Sequence, residues 1–234
     1  MSPQTNGLLS NLPETEYEAF SGELKLTFLH KGQVLFDAGE VPRHVYFPVG
    51  AVVSMMNDSE DGESLETFML GKTCMVGVAT VGQPSFYRAL VRNTGPAYQL
   101  PTRVLHLLRA QCPSYFQNAT QAVNHMVMLL SQSLVCSKRH TFEQQLIRWM
   151  LITLDRTLEN RIEITHHELS EILGFRREGV TLNLRKMVDR AEITVRRGEI
   201  TVLDCAALQA RVCECYRVTP PKLPAKAPAM ALAA

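Results

Sequence analysis

THHELSEILGFRREGVTLNLRKMVDRAEITVRRGEITVL, residues 165 to 203, decides how the chain is read. Thr165 stands three residues before Glu168, the spacing at which a hydroxyl and a carboxylate satisfy each other's amides at a helix start. Leu169, Ile172 and Leu173 then recur at helical spacing, and Gly174 is the residue best able to close a helix in a left-handed turn. A second helix is expected from about Arg176 to Arg190, with Val180, Leu184, Met187 and Val188 on one packing stripe. Its other face carries Arg177, Glu178, Thr181, Arg185 and Lys186. Beyond it, Ile193 to Val195 and Ile200 to Leu203 alternate apolar with polar around Arg197-Gly198, as a tight hairpin does.

Between Arg176 and Arg197 seven basic residues face three acidic ones, an excess confined to this stretch because the whole chain carries a formal net charge of only +1. Helix, turn, basic helix and basic hairpin in this order are the parts of a winged helix-turn-helix, whose second helix enters the DNA major groove while the wing meets the backbone. The competing reading is a small helical subdomain with a solvated charged face. The cap, the glycine turn and the hairpin, all in register, favour DNA binding.

At 234 residues the chain has room for two domains with a core each. Its 46% hydrophobic and 20% charged content exclude a disordered chain. No run of about 18 apolar residues is present, which argues against a spanning helix. The first residues lack a basic start followed by an apolar run, so no secretory signal is expected and the location is expected to be cytoplasmic. Six cysteines, at 74, 112, 136, 205, 213 and 215, are scattered in a chain too large to need staples, and are expected to be reduced and mostly small core residues.

Residues 1 to 23 read as a polar lead and a short helix. From Leu24 to Leu100, short apolar or alternating runs such as 34–36, 45–47, 49–56 and 65–70 are broken by turn residues about every ten positions, the texture of an all-β sandwich or barrel. Thr102 to Arg109 is expected to form a short helix, and Pro113 to about His140 a long one, near 40 Å at about 1.5 Å per residue. Phe116, Val123 and Leu130 repeat every seven residues, as do Thr120, Val127 and Leu134, drawing a coiled-coil seam that Met126 and Met128 widen. Such a seam predicts a parallel homodimer; the other reading is a core helix lying on the β domain. Phe142 to Thr157 is a further amphipathic helix, with Leu146, Trp149, Met150, Ile152 and Thr153 spaced for burial, and Asp204 caps a last helix over 205–217. The Pro- and Ala-rich residues 218–234 are expected to be a disordered tail.

A β sandwich, a long helix and a C-terminal winged helix resemble the Crp/Fnr superfamily of bacterial transcription regulators. The resemblance covers residues 12 to 217 and is most specific in HKGQVLFDAGEVPRHVYFPVGAVVSMM and LGFRREGVTLNLRKM. It implies an α+β, two-domain chain: a jelly-roll-like β-roll sensor of the cyclic-nucleotide-binding type (12–112), a dimerisation helix (113–140) and a winged helix-turn-helix reader (141–217). It also implies double-stranded DNA and a second copy of the chain as partners, RNA polymerase as a further candidate, and no membrane.

In that family an Arg-Glu pair at the start of the recognition helix reads base edges, and Arg177-Glu178 falls on it. Arginine can donate two bonds to guanine O6 and N7, and glutamate can accept from cytosine N4. The family's second arginine, four residues after the glutamate, is replaced here by Leu182, so the operator should differ at that position. Thr181 lies on the same face. Arg176, Arg185, Arg196 and Arg197 are assigned to phosphates, which position the domain without reading sequence.

The resemblance places an effector pocket at Gly77, Val78, Arg88 and Ala89. Members that bind cyclic AMP have a glutamate where Val78 stands, and without it the ribose hydroxyl has no charged acceptor, which argues against cyclic AMP. The iron-sulfur branch uses cysteines near the N-terminus, whereas the first here is Cys74. Cys213-Glu214-Cys215 alone is too close and isolated for zinc, and single histidines such as His30, His44 or His106 are more often structural than haem ligands. No metal or cofactor is therefore predicted. Cupin-like histidine spacing, a Gly-rich phosphate loop and a serine nucleophile elbow are all missing, so no enzyme is expected. The main rival is an effector-binding or scaffolding module whose helix-turn-helix no longer reads DNA.

Overall fold

The computed structural model describes residues 2–77, 82–108, 110–157 and 159–217. Val78 and the tail over 218–234 lie outside them. After a 3-10 turn at Pro3–Thr5 come α1 (Gly7–Ser10) and α2 (Glu14–Ser21), then β1 (Lys25–Leu29), β2 (Val34–Phe36), β3 (His44–Pro48), β4 (Val52–Asp58), β5 (Ser64–Leu70), β6 (Arg88–Asn93) and β7 (Gly95–Pro101). There follow α3 (Thr102–Leu107), α4 (Pro113–Arg139), α5 (Phe142–Arg156), β8 (Arg161–Glu163), α6 (His166–Leu173), α7 (Arg177–Asp189), β9 (Ile193–Arg196), β10 (Glu199–Val202) and α8 (Cys205–Arg211).

Seven strands form two antiparallel sheets, ordered β1-β7-β3 and β2-β6-β4-β5. Alternation along β7 sends Ala97 into the space shared with Val53, Met55 and Val91 of the second sheet, and sends Tyr98 and Leu100 to the opposite side. On that side Leu8, Leu9, Phe20 and Tyr115 from the helices cover them. A third sheet, β8-β10-β9, lies in the C-terminal region.

The long helix divides its surface between two tasks. Tyr115, Ala119, Ala122, Met126 and Leu129 are buried against the sheets and their helical cover. The other side bears the seven-residue seam: Thr120, Val127 and Leu134 are exposed, and Phe116, Val123 and Leu130 are half-buried. The core-helix reading therefore holds for one face, against which Phe116 and Leu130 also pack in part, while Thr120, Val127 and Leu134 leave an exposed row on the other. Met126 does not widen the seam, because it points into the β core. Val135, also exposed, extends the open side instead.

Helix α5 is buried along almost its whole apolar surface: Leu146, Ile147, Trp149, Met150, Leu151, Ile152 and Thr153. It joins Leu169, Ile172, Val180, Leu184 and Met187 of the C-terminal region to Val52 and Met69 of β4 and β5 in one continuous cluster. Burying such side chains stabilises by about 1.5–3 kcal/mol each.

Beyond Met126, four sequence expectations are corrected. Helix α3 ends at Leu107, and Arg109 lies outside the described residues. The last helix stops at Arg211, and a separate 3-10 turn covers Glu214–Tyr216, so 205–217 is not one helix. Val188 is 40% exposed and not on the packing stripe of α7. The wing carries a third strand, β8, that its three residues gave no period to reveal.

Candidate nucleic-acid interface

Helix α6 starts as its residues dictate. Thr165 Oγ1 accepts from the Glu168 amide at 3.1 Å, and the Thr165 amide donates to Glu168 Oε2 at 2.7 Å. Gly174 closes it with φ +66°, and the Phe175 amide returns to the Ser170 carbonyl at 3.0 Å. Phe175 then stacks on Phe142 of α5, ring centres 4.0 Å apart, which fixes the direction in which α7 leaves the turn.

On α7, Val180, Leu184 and Met187 are buried, and the residues between them face outward. Arg176, Arg177, Glu178, Thr181, Leu182, Arg185 and Lys186 are all exposed, as are Arg196 and Arg197 beside the wing turn. None of these cations is held in an ion pair among the described residues. Arg190, counted with them in the sequence, is different: it donates to Glu143 at 2.6 Å. Arg211 bridges Glu143 and Glu192 and so locks α5, α8 and the end of α7 together. Burial raises the Glu143 carboxyl, but its bonds and charges from Arg190 and Arg211 prevail and hold it below the usual range.

Arg176 takes the N-cap position of α7 without a side-chain capping bond, which leaves its guanidinium free to project. Thr181 donates to the Arg177 carbonyl at 3.0 Å, and its hydroxyl lies 3.0 Å from His166 Nδ1 on α6. His166 therefore joins this face, a neighbour that spacing along α7 could not reveal. Leu182 is 56% exposed, with its apolar end toward solvent where a packing role would require burial.

The same region is moored to the β sheets. Glu168 lies 3.6 Å from Lys31 Nζ and 3.7 Å from Arg92 Nη1, and Lys31 also donates to the Glu163 carbonyl at 2.6 Å. Arg92, buried, reaches Ser54 at 3.3 Å; Ser54 donates to Glu66, and Glu66 accepts from Trp149 Nε1 at 2.9 Å. Burial raises the Glu168 carboxyl, yet the Thr165 bonds and the Lys31 and Arg92 charges win and keep it low. The β4–β5 turn and the start of α7 line one open cleft, with Asp58 and Glu63 on one wall and Arg176 and Arg177 on the other.

Of the four proposed effector residues Val78 lies outside the described residues, and the other three are placed less openly. Gly77 is buried, with φ +93°, beside Val45 and the His44 carbonyl. Ala89 is fully buried between its strand partners Phe36 and Met55. Arg88 donates to Asp58 Oδ1 at 2.8 Å and to Ser64 Oγ at 3.0 Å, so its guanidinium is engaged with the β4–β5 turn. His30 follows β1, His44 opens β3 and His106 lies in α3, and none joins a group of three metal-ligand side chains among the described residues. Such a group does form elsewhere, where Cys136 and His140 of the α4 end meet Cys213 and Cys215.

Residues 144–211 match the family model of the Crp-like helix-turn-helix domain. The global nitrogen regulator of Synechococcus elongatus is 21% identical over 210 residues, covering 82% of this chain and 92% of that protein. A Crp/Fnr-family transcriptional regulator from Eubacterium rectale superposes with a TM-score of 0.69 at 15% identity, over 91% of this chain and 99% of its own. FixK2 from Bradyrhizobium japonicum gives 0.67 at 12% identity, over 81% and 98%.

Proposed function

We propose that this chain is a transcription regulator of the Crp/Fnr type that works as a homodimer and reads an inverted-repeat operator with α7. The observation that carries the proposal is the outward face of α7 and the wing turn, where every side chain expected to meet DNA is exposed and its cations have no ion-pair partner among the described residues. Cations of this kind are free to replace phosphate counterions. Arg177 would donate to guanine, Glu178 would accept from cytosine N4, and Leu182 would meet an apolar group such as a thymine methyl. Arg176, Arg185, Arg196 and Arg197 would hold phosphates and set the register.

The open seam of α4 supports a parallel pairing of two chains, with Val127 and Leu134 meeting their copies. Two recognition helices would then stand about 34 Å apart, one DNA turn. Control would run through the moorings that tie α6 to the sheets. While Asp58 and Glu63 share a cleft with Arg176 and Arg177, incoming phosphates meet carboxylates, so binding favours a second arrangement in which that cleft opens. Cyclic AMP is a poor candidate for the signal: the family's glutamate is Val78 here, and Arg88 is engaged with Asp58 and Ser64. No cofactor or catalytic step is assigned. No helix among the described residues is long and apolar enough to cross a membrane.

Two substitutions test the reading of bases. Glu178→Ala should change the preferred base at one position of each half-site, whereas Arg196→Ala should weaken binding to all sequences and lower the salt slope by about 1. An unchanged preferred sequence in Glu178→Ala would overturn the assignment of α7 and favour a scaffolding module.

A further inference from the structure

Cys213-Glu214-Cys215 offers only half a metal site in sequence, and the fold supplies the other half from 77 residues away. Cys136 lies in the last turn of α4, and His140, four residues on, is its C-cap, whose amide donates to the Cys136 carbonyl at 3.1 Å and so holds the two residues together. The 3-10 turn after α8 brings Cys213 and Cys215 against them, and the four ligand atoms all lie within 4.8 Å of one another. We propose that Cys136, His140, Cys213 and Cys215 form a Cys3His site for a thiophilic divalent cation, zinc foremost, that fastens the C-terminal segment to the end of the dimer helix.

The spacing fits tetrahedral coordination. Metal–sulfur bonds of about 2.3 Å and metal–nitrogen bonds of about 2.0–2.1 Å imply edges of about 3.8 Å between sulfurs and about 3.6 Å between sulfur and nitrogen. Cys136 Sγ and Cys213 Sγ are 3.7 Å apart, and Cys215 Sγ is 3.5 Å from His140 Nδ1. The three cysteines are unbonded thiols that form a buried cluster of their own. Thiols serving only as core filling would have no need of a histidine nitrogen in their midst.

The surroundings are those of ligands held in place. With His140 Nδ1 turned to the sulfurs, its other nitrogen, Nε2, lies 3.2 Å from Glu214 Oε1, the carboxylate–histidine pairing that orients metal-bound imidazoles. Gln132 Nε2 donates to Cys215 Sγ at 2.8 Å, a contact that suits a sulfur carrying negative charge. Coordination would release one proton from each of the three thiols, and the +2 ion with three thiolates leaves a net charge of −1 beside the Arg148 cation. The site lies one residue before the Thr141 cap of α5, so a bound cation would brace the joint between the dimer helix and the reader.

The test is titration of the reduced, chelator-treated full chain with Co2+, read by thiolate-to-cobalt charge-transfer absorption and the intense visible bands of tetrahedral cobalt. One Co2+ per chain should bind, and added Zn2+ should displace it. Cys136→Ser and Cys213→Ser should each weaken binding by roughly 100-fold or more, while Cys205→Ser, at an exposed position outside the four-ligand group, should leave it unchanged. His140→Cys guards against mere misfolding, because a four-thiolate site should keep the metal and gain charge-transfer intensity. Absence of a stoichiometric band in the unmodified chain would overturn the proposal, as would a band that survives in Cys136→Ser or fails to grow in His140→Cys.

Discussion

Trp149 is the chain's single tryptophan, and its indole nitrogen donates to Glu66 across the boundary between α5 and β5 at 2.9 Å. The bond ends on a half-buried carboxylate that also accepts from Ser54, and through Ser54 it connects to Arg92 and from there to Glu168. A hydrogen bond to a charged group contributes about 1.5–3 kcal/mol, and more is lost when a buried partner is stranded. Glu66→Ala should therefore destabilise the chain by about 2 kcal/mol, which at roughly 2–4 °C per kcal/mol lowers Tm by about 4–8 °C. Its tryptophan emission should shift as the indole loses its partner. Trp149→Phe also leaves a cavity, so the pair is best measured as a double-mutant cycle by far-ultraviolet circular dichroism in urea. A coupling of about 1 kcal/mol or more is expected. Single effects that add within about 0.3–0.5 kcal/mol would refute the claim that this bond moors the reader to the sheets.

Ala191 holds φ +57° after α7, where glycine carries no steric cost; Ala191→Gly should raise stability by about 0.5–1 kcal/mol, seen as a higher urea midpoint. Glu143 and Glu168 have folded-state pKa values below those of free carboxylates, so their stabilisation is complete above the unfolded value near 4.3 and is lost as pH falls through the folded one. Glu143→Gln should cost about 1 kcal/mol at neutral pH and flatten the fall of stability below about pH 5; an unchanged slope would contradict this. Val127→Glu with Leu134→Glu places charges on an exposed seam, so the chain should stay folded but sediment as a monomer and lose operator affinity by at least about 100-fold.

The reader was legible because its signals are local. The Thr165–Glu168 box, the Gly174 turn, the Asp204 cap and the Arg197-Gly198 hairpin each span a few residues and depend little on context. The β domain was legible as a texture, but the order of its strands was not, because pairing partners such as β1 and β7 lie far apart in the chain. Periodicity found the apolar rows of α4 but could not say which faced the sheets, and Met126 was given to the wrong side. Ion pairs such as Lys31 with Glu168 have no period at all, so the docking of the helix-turn-helix region on the β domain was invisible. The cysteine–histidine cluster was missed for the same reason: its halves meet only when the 3-10 turn that follows α8 packs on the end of α4.

On the proposed function, two copies of α7 read one site together. Selection of bound duplexes from a random DNA pool by the purified chain, followed by sequencing, tests it most directly. A two-fold symmetric motif should be enriched, its half-sites about 34 Å apart, with a guanine contact and a cytosine contact in each half. Bound DNA without base preference, or a single unrepeated motif, would contradict this.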